Sequence, residues 1–134
     1  MTDELATRLV DAARAARGLA HAPYSDFPVG AALLDEHGRI HRGANIENAA
    51  YPEGLCAEAV ALSHLVMAGA KRVTAAAVVG VAKVPVTPCG GCRQKLREFA
   101  AGDCRIIVAD LDRVRLETTL AELLPHSFGP DHLA

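Results

Sequence analysis

The run from Val73 to Val81 is the stretch that most limits the folds open to this chain of 134 residues. It is long and apolar, and it lacks the alternation of apolar and polar residues that marks a strand with one solvent-facing side. A strand of this kind is covered on both faces, as in a sheet packed between helices. The segment from Arg105 to Ala109 predicts a second buried strand.

The segments around these two strands predict helices and a hairpin. Each is predicted from its own periodicity and turn residues, in the order helix 2–17, strand 29–34, strand 40–44, helix 56–68, helix 89–101, edge strand 114–116 and helix 119–124. Thr2 is expected to cap the first helix and Gly18 to end it. The helix from Cys56 is apolar almost all round, so we expect it to be buried. This order predicts an α/β sandwich with a mixed sheet, built as one domain over residues 1–134.

Composition and charge exclude several classes of function. The chain is 51% hydrophobic with a formal net charge of −2, and its basic residues never cluster beyond Lys71 and Arg72. A protein that binds a polynucleotide needs a basic face, so we expect a small substrate instead. The acidic N-terminus does not resemble a signal peptide, and no segment is suited to span a bilayer. We therefore expect a cytoplasmic protein that neither crosses a membrane nor binds nucleic acid.

Two short segments hold three of the four cysteines and a carboxylate. They are Leu55-Cys56-Ala57-Glu58 and Pro88-Cys89-Gly90-Gly91-Cys92, and each opens a predicted helix. Helix starts direct backbone N–H groups and the positive end of the dipole toward thiolates. Three thiolates suit a tetrahedral zinc ion and leave its fourth position for water. Glu58 is the only carboxylate on its predicted helix, where it is placed to move protons for that water.

Other interpretations of the cysteines remain open at this point. Taken alone, Cys89-x-x-Cys92 is compatible with a redox pair, half of a structural zinc site, or chance. A redox pair is disfavoured because no strand of the thioredoxin kind precedes it. A structural zinc site needs a fourth protein ligand, and neither Cys104 nor any of the six histidines lies in a second paired motif. Cys104 precedes an apolar strand and is predicted to be a buried residue without a role.

Five blocks of the chain together carry a family resemblance. In chain order they are Ala22-Pro23-Tyr24-Ser25 continuing through Phe27 to Leu33, Asn45-Ile46-Glu47-Asn48 continuing to Pro52, Cys56-Ala57-Glu58, Pro88-Cys89-Gly90-Gly91-Cys92-Arg93-Gln94, and Leu123-Leu124-Pro125 with Phe128. These blocks resemble the small, homotetrameric type of zinc-dependent cytidine deaminase. The blocks follow the order of that family and span nearly the whole chain. The resemblance implies a three-layer α/β/α sandwich around a mixed five-stranded sheet.

The resemblance also implies a reaction and its residues. It implies one Zn²⁺ per chain held by Cys56, Cys89 and Cys92, with Glu58 as the proton shuttle. The reaction implied is hydrolytic deamination of cytidine and deoxycytidine to uridine and deoxyuridine with release of ammonia, a step of pyrimidine salvage.

The substrate-binding residues implied by the resemblance come from several segments. They are Phe27 against the base, Asn45 and Glu47 at the ribose hydroxyls, Ala57, and Tyr51 and Phe128 reaching a neighbouring site in a homotetramer with sites near subunit interfaces. Taken alone, Asn45 predicts a turn residue and Phe27 a core residue. The motif favours binding roles for both.

The chain departs from the family pattern at one position. Many members carry Arg directly after Cys-Ala-Glu, where it neutralises thiolate charge, whereas this chain has Ala59. Compensation then has to come from the helix dipoles, from Arg93, or from nowhere.

Three alternative functions differ from cytidine deamination in testable ways. A deaminase of another small amine, similar to those for the nucleoside blasticidin S, keeps the thiols and Glu58 but does not need Asn45 and Glu47. A tRNA or DNA deaminase usually has His as its first ligand and a basic surface, so it is disfavoured. A structural zinc module predicts metal without turnover.

Overall fold

A computed structural model describes all residues, Met1–Ala134. Its helices and strands follow in chain order: α1 (Asp3–Arg17), β1 (Gly30–Asp35), β2 (Ile40–Ala44), α2 (Ala57–Met67), β3 (Val73–Val79), α3 (Gly90–Phe99), β4 (Arg105–Ala109), β5 (Val114–Thr119) and α4 (Leu120–Leu123). Two short 3₁₀ turns, Tyr51–Glu53 and Pro130–His132, lie in the connections. None of the helices has both the length and the apolar character that crossing a membrane requires.

The five strands form one mixed sheet in the order β2-β1-β3-β4-β5. The pair β3/β4 is parallel, and the other three pairs are antiparallel. The two strands predicted to be covered on both faces are therefore central neighbours, and both are buried. A parallel pair needs a crossover, which α3 supplies between β3 and β4. The predicted mixed five-stranded sheet is confirmed.

Helices cover both faces of the sheet. On one face, Leu9 and Val10 of α1 pack with Leu34 of β1 and Ile107 of β4 in a single apolar cluster. On the other face, a second cluster joins α2 and α3 to the alternate residues of the same strands, among them Leu65, Leu96, Leu33 and Ile106. The predicted three-layer α/β/α arrangement is confirmed.

Three element predictions need correction. Strand β5 runs to Thr119 rather than Leu116, because its polar residues pair with β4 and an exposed edge strand carries little apolar signal. Strand β3 ends at Val79 rather than Val81, where pairing with β4 stops at Ala109. Helix α2 is not buried all round, because only one of its faces meets the sheet. Val66 is 43% exposed and Met67 84% exposed.

Helix α2 approaches the sheet at backbone distance. A Cβ built on Gly43 of β2 would lie 2.3 Å from the amide nitrogen of Ala61 and 2.4 Å from the carbonyl oxygen of Ala57. Only glycine allows strand and helix backbones to come this close. Because Ala57 is the first residue of α2, the contact fixes the helix end that carries Cys56 and Glu58.

We predict that Gly43→Ala destabilises the protein by about 1–3 kcal/mol, since the methyl group overlaps helix backbone that cannot rotate away. Urea unfolding of the zinc-loaded protein measures the change. Gly18→Ala is the matched control: Gly18 has an ordinary φ of −65° and its nearest contact would be at 3.5 Å. A Gly43→Ala variant as stable as the Gly18→Ala control would contradict the close-approach interpretation.

Candidate active site

Three thiols from two helix starts converge at one point. Cys56 is the N-cap residue of α2 and Cys89 is the N-cap residue of α3, while Cys92 lies in the first turn of α3. Their Sγ atoms all lie within 4.8 Å of one another, and those of Cys56 and Cys89 are 4.0 Å apart. The predicted helix starts at both motifs are thus observed, and the two N-termini point their N–H groups toward the same cluster.

The donor set suits zinc. Zinc–sulfur bonds of about 2.3 Å in tetrahedral geometry place the sulfurs about 3.8 Å apart, close to the separation observed here. Burial raises the pKa of the Cys92 thiol far above its usual range, and the charges of Glu58 and Cys56 act in the same direction. Burial also raises the pKa of Cys56. Burial and the charges of neighbouring groups disfavour ionisation of these thiols, and a bound divalent cation stabilises them as thiolates. The group is positioned for one metal ion.

Glu58 lies beside the thiols in the first turn of α2. It is only 5% exposed, in agreement with the prediction of a buried acid. Burial raises the pKa of its carboxyl group, while the Cys92 thiol and the ammonium group of Lys95 act in the opposite direction. A carboxyl group whose pKa is raised above its ordinary value accepts and donates a proton more readily near neutral pH than an exposed carboxylate does.

A cavity of about 320 Å³ opens over this group. Its lining residues come from five separate segments and are Ser25, Phe27, Val29, Asn45, Glu47, Cys56, Ala57, Glu58, Val78, Val86, Thr87 and Cys89. All five residues predicted for catalysis and for binding on the same chain line this cavity, together with the thiols of Cys56 and Cys89. A larger cavity of about 510 Å³ lies between the end of α1, β2 and α2, but no thiol or carboxylate lines it.

Asn45 and Glu47 organise one wall of the cavity. The Asn45 amide accepts a hydrogen bond from the backbone N–H of Val29 at 2.8 Å and donates one to the carbonyl of Phe27 at 3.0 Å. Glu47 accepts from the backbone N–H groups of Tyr24 and Ser25 and from the Ser25 hydroxyl. The Ser25 bonds hold the pKa of the Glu47 carboxyl below its usual range, so it is ionised. Both side chains therefore stabilise the segment that presents Phe27, which is 39% exposed.

Tyr51 and Phe128 lie outside this cavity. Tyr51 is 75% exposed and packs edge-on against Tyr24 at a centroid distance of 5.8 Å, beside a second cavity that also reaches Glu47. Phe128 is 57% exposed and stacks on His132, with its carbonyl accepting a hydrogen bond from the Gln94 side chain. Within one chain, neither aromatic ring lines the cavity over Glu58.

Arg93 does not pair with the thiols through hydrogen bonds. Its guanidinium donates instead to the carbonyls of Pro88 and Leu123 and to the hydroxyl of Thr87. The two helix N-termini are thus the compensating groups aimed directly at the cluster. Cys104 is 3% exposed, and burial raises its pKa to about 12, which agrees with a buried thiol outside the site.

Five of the lining residues are not among the predicted site residues: Ser25, Val29, Val78, Val86 and Thr87. Ser25 bonds Glu47, and Thr87 and Val86 close the side of the cavity next to Cys89. Ser25 belongs to a block that resembles the family as a whole, and nothing in its local sequence marks it individually. Val86 and Thr87 lie in an irregular connection without periodicity, so no local pattern signals that they reach the cavity.

The fold and the three-thiol group together define a zinc-binding domain of the deaminase class. Residues 3–108 match the family model described as the cytidine and deoxycytidylate deaminase zinc-binding region. A cytidine deaminase from Sporosarcina psychrophila is 44% identical over 127 residues, covering 95% of this chain and 93% of the relative. One from Halalkalibacterium halodurans is 46% identical over 125 residues, covering 93% and 95%.

Solved structures agree with the sequence relatives. The crystal structure of cytidine deaminase from Burkholderia pseudomallei superposes with a TM-score of 0.87 at 39% identity, covering 96% of this chain and all of that one. The cytidine deaminase from Mycobacterium tuberculosis gives a TM-score of 0.82 at 36% identity, covering 96% and 99%. The chain belongs to the cytidine and deoxycytidylate deaminase zinc-binding family.

Proposed function

We propose that this protein hydrolyses the exocyclic amine of cytidine and deoxycytidine, forming uridine or deoxyuridine and ammonia. One observation carries the proposal: the cavity that contains Glu58 and the thiols of Cys56 and Cys89 is also lined by Phe27, Asn45 and Glu47. A proton-transfer group, a metal-binding group, an aromatic ring and polar side chains thus surround one space. Its volume of about 320 Å³ is of the size that small-molecule sites have.

The three cysteines and Glu58 have different roles in this reaction. Cys56, Cys89 and Cys92 would hold zinc, which when bound supplies Lewis-acid activation of water at neutral pH. Glu58 takes a proton from the attacking water, delivers one to N3 of the cytosine ring, and helps the amino group leave as ammonia. The water oxygen becomes the 4-oxo group of uracil, so atoms and charge balance.

The remaining residues bind and orient the substrate. Phe27 offers a flat apolar wall to the base. Glu47 is ionised and retains acceptor capacity for ribose hydroxyls beyond its bonds to the Tyr24–Ser25 segment. Asn45 has one N–H left to donate after its bonds to the backbone around Pro28.

A nucleoside fits the cavity better than a nucleotide does. The family description covers both cytidine and deoxycytidylate deaminases. No Lys or Arg lines the cavity over Glu58 or the adjoining cavity of about 350 Å³. The two helix N-termini at this cavity are directed at the thiols, so a phosphate group would have no cationic side chain to pair with and would lie near the Glu47 carboxylate. We therefore assign nucleosides as substrates.

The test is the ultraviolet absorbance change of purified protein with cytidine, deoxycytidine, free cytosine and cytidine monophosphate, alongside a zinc assay. We expect turnover of both nucleosides, about one zinc per chain, and a lower kcat/KM for the nucleotide, because no Lys or Arg lines the cavity to pair with its phosphate group and Glu47 carries a like charge. Zinc without turnover of either nucleoside would contradict the proposal.

Glu58→Gln is the control variant within this assay. It preserves shape and removes the proton-transfer group, so we expect it to retain zinc and nucleoside binding while kcat falls roughly 100- to 10,000-fold. Near-parental turnover by Glu58→Gln would contradict the proton-shuttle role while leaving the substrate assignment intact.

We further propose a homotetramer in which Tyr51 and Phe128 complete sites of neighbouring chains. Both rings are exposed in the single chain, as are Leu55 and Met67, and exposed apolar residues of this size favour association. Sedimentation equilibrium is expected to give about four times the mass of one chain. A monomer with full activity would contradict roles for Tyr51 and Phe128 in a neighbouring site.

The cellular role follows from the chemistry proposed. All four cysteines are free thiols, which suits the reducing cytoplasm. Conversion of cytosine nucleosides to uracil nucleosides returns them to pyrimidine salvage.

A further inference from the structure

The three thiols are held in different ways, and Cys89 depends on the least regular segment. Cys92 lies inside α3. Cys56 follows Leu55, whose backbone exchanges two hydrogen bonds with Ile46, at 2.8 and 2.9 Å. Cys89 instead ends an irregular connection from Gly80 to Cys89, named here the Cys89 loop. A ligand on such a loop is placed accurately only if other groups hold the loop.

Backbone hydrogen bonds contribute little to the Cys89 loop. Between Gly80 and Pro88, the N–H of Gly80 donates to Ala109, and the N–H of Thr87 donates locally to Pro85. Pro85 and Pro88 have no N–H to donate. Neither bond fixes the peptide that joins Pro88 to Cys89.

The Arg93 side chain holds the end of the Cys89 loop that lacks backbone hydrogen bonds. Its Nε donates to the carbonyl oxygen of Pro88 at 2.7 Å, and one terminal nitrogen donates to the Thr87 hydroxyl at 3.1 Å. The other terminal nitrogen donates to the carbonyl oxygen of Leu123 at 2.7 Å, at the end of α4. One planar guanidinium thus joins the Cys89 loop to the C-terminal part of the chain, while its own backbone lies in α3 next to Cys92.

The bond to Pro88 acts directly on Cys89. A peptide unit is planar, so the carbonyl oxygen of Pro88 and the nitrogen and Cα of Cys89 lie in one plane. Holding that oxygen restrains the orientation of the plane, and with it the position of the Cys89 Cα from which the side chain leaves the backbone. Only a rigid fork of several N–H groups reaches three divergent acceptors at once, and a lysine ammonium group does not reproduce this arrangement.

We propose that Arg93 is a positioning residue for the metal centre, which sets the Cys89 thiol by fixing the Pro88–Cys89 peptide rather than by neutralising thiolate charge. This inference rests on the assignment of Cys89 as a zinc ligand. The zinc content of the parent protein tests that assignment separately, before any variant is made.

The experiment compares Arg93→Lys and Arg93→Gln with the parent protein by the rate at which zinc passes to a chromophoric chelator. Removing groups that orient a metal ligand typically lowers metal affinity about 10- to 100-fold. We expect both variants to release zinc faster by a factor of that order, because both lose the three-way contact. If the positive charge alone mattered, Arg93→Lys would match the parent.

Arg115→Lys is the matched control. Arg115 also holds the Cys89 loop, by donating to the carbonyls of Ala82 and Lys83 in its first half, at 3.3 and 3.0 Å. These contacts lie far from Cys89 along the chain, so we expect zinc release close to that of the parent. Equal acceleration in Arg115→Lys and Arg93→Lys would show general loosening of the loop and overturn the specific role of Arg93.

A spectroscopic readout separates positioning from loss of fold. Cobalt(II) in the same site gives thiolate-to-metal charge-transfer absorption, which we expect Arg93→Lys to weaken while its far-ultraviolet circular dichroism stays parental. Should Arg93→Lys not fold, Thr87→Val removes a single contact of the same guanidinium and is expected to speed zinc release to a smaller extent. Parental zinc release and parental cobalt absorption in the variant that folds would overturn the proposal.

Discussion

The meeting of two helix N-termini at three thiols is the constraint on which the rest of the structure depends. Three thiolates around one divalent cation leave a net negative charge, and the residue directly after Cys56-Ala57-Glu58 is Ala59, which carries no charge. With Arg93 bonded to carbonyls, the N–H groups at the starts of α2 and α3 are the groups aimed at this charge. The N-termini of α2 and α3 must therefore both lie at the three-thiol cluster, and the fold places them there.

The sheet topology and Gly43 bring the N-termini of α2 and α3 together. The parallel pair β3/β4 puts α3 on the same face of the sheet as α2. Gly43 then lets α2 lie against β2 at backbone distance. The loops between Ala22 and Val29 and between Asn45 and Leu55 close the cavity from the side, held by Asn45 and Glu47. Stability and chemistry thus depend on the same contacts at this end of the molecule.

Much of the fold and of the metal group could be predicted from the sequence, because both have local signals. Apolar runs indicate which segments are buried, and capping residues indicate where helices end. The spacing of Cys56, Cys89 and Cys92 indicates a metal-binding group. The sequence predicts a shorter β5 than is observed, because polar edge residues pair with β4 through their backbones and hydrophobic periodicity does not detect such pairing. The contacts of Asn45 and Arg93 were missed because they join segments 16 and 30 residues apart. Local patterns do not specify such partners, nor do they specify that Tyr51 packs against Tyr24 and Phe128 against His132.

X-ray absorption at the zinc edge tests most directly whether three thiols hold zinc with one position left open beside Glu58. With one zinc per chain, the spectrum is expected to show three sulfur ligands at about 2.3 Å and one oxygen at about 2.0 Å. Addition of a cytosine nucleoside analogue that resembles the hydrated base should change the oxygen shell and leave the sulfur count unchanged. Four sulfur ligands, or a histidine nitrogen in the fourth position, would mean a closed structural site and would contradict an active site built around Glu58.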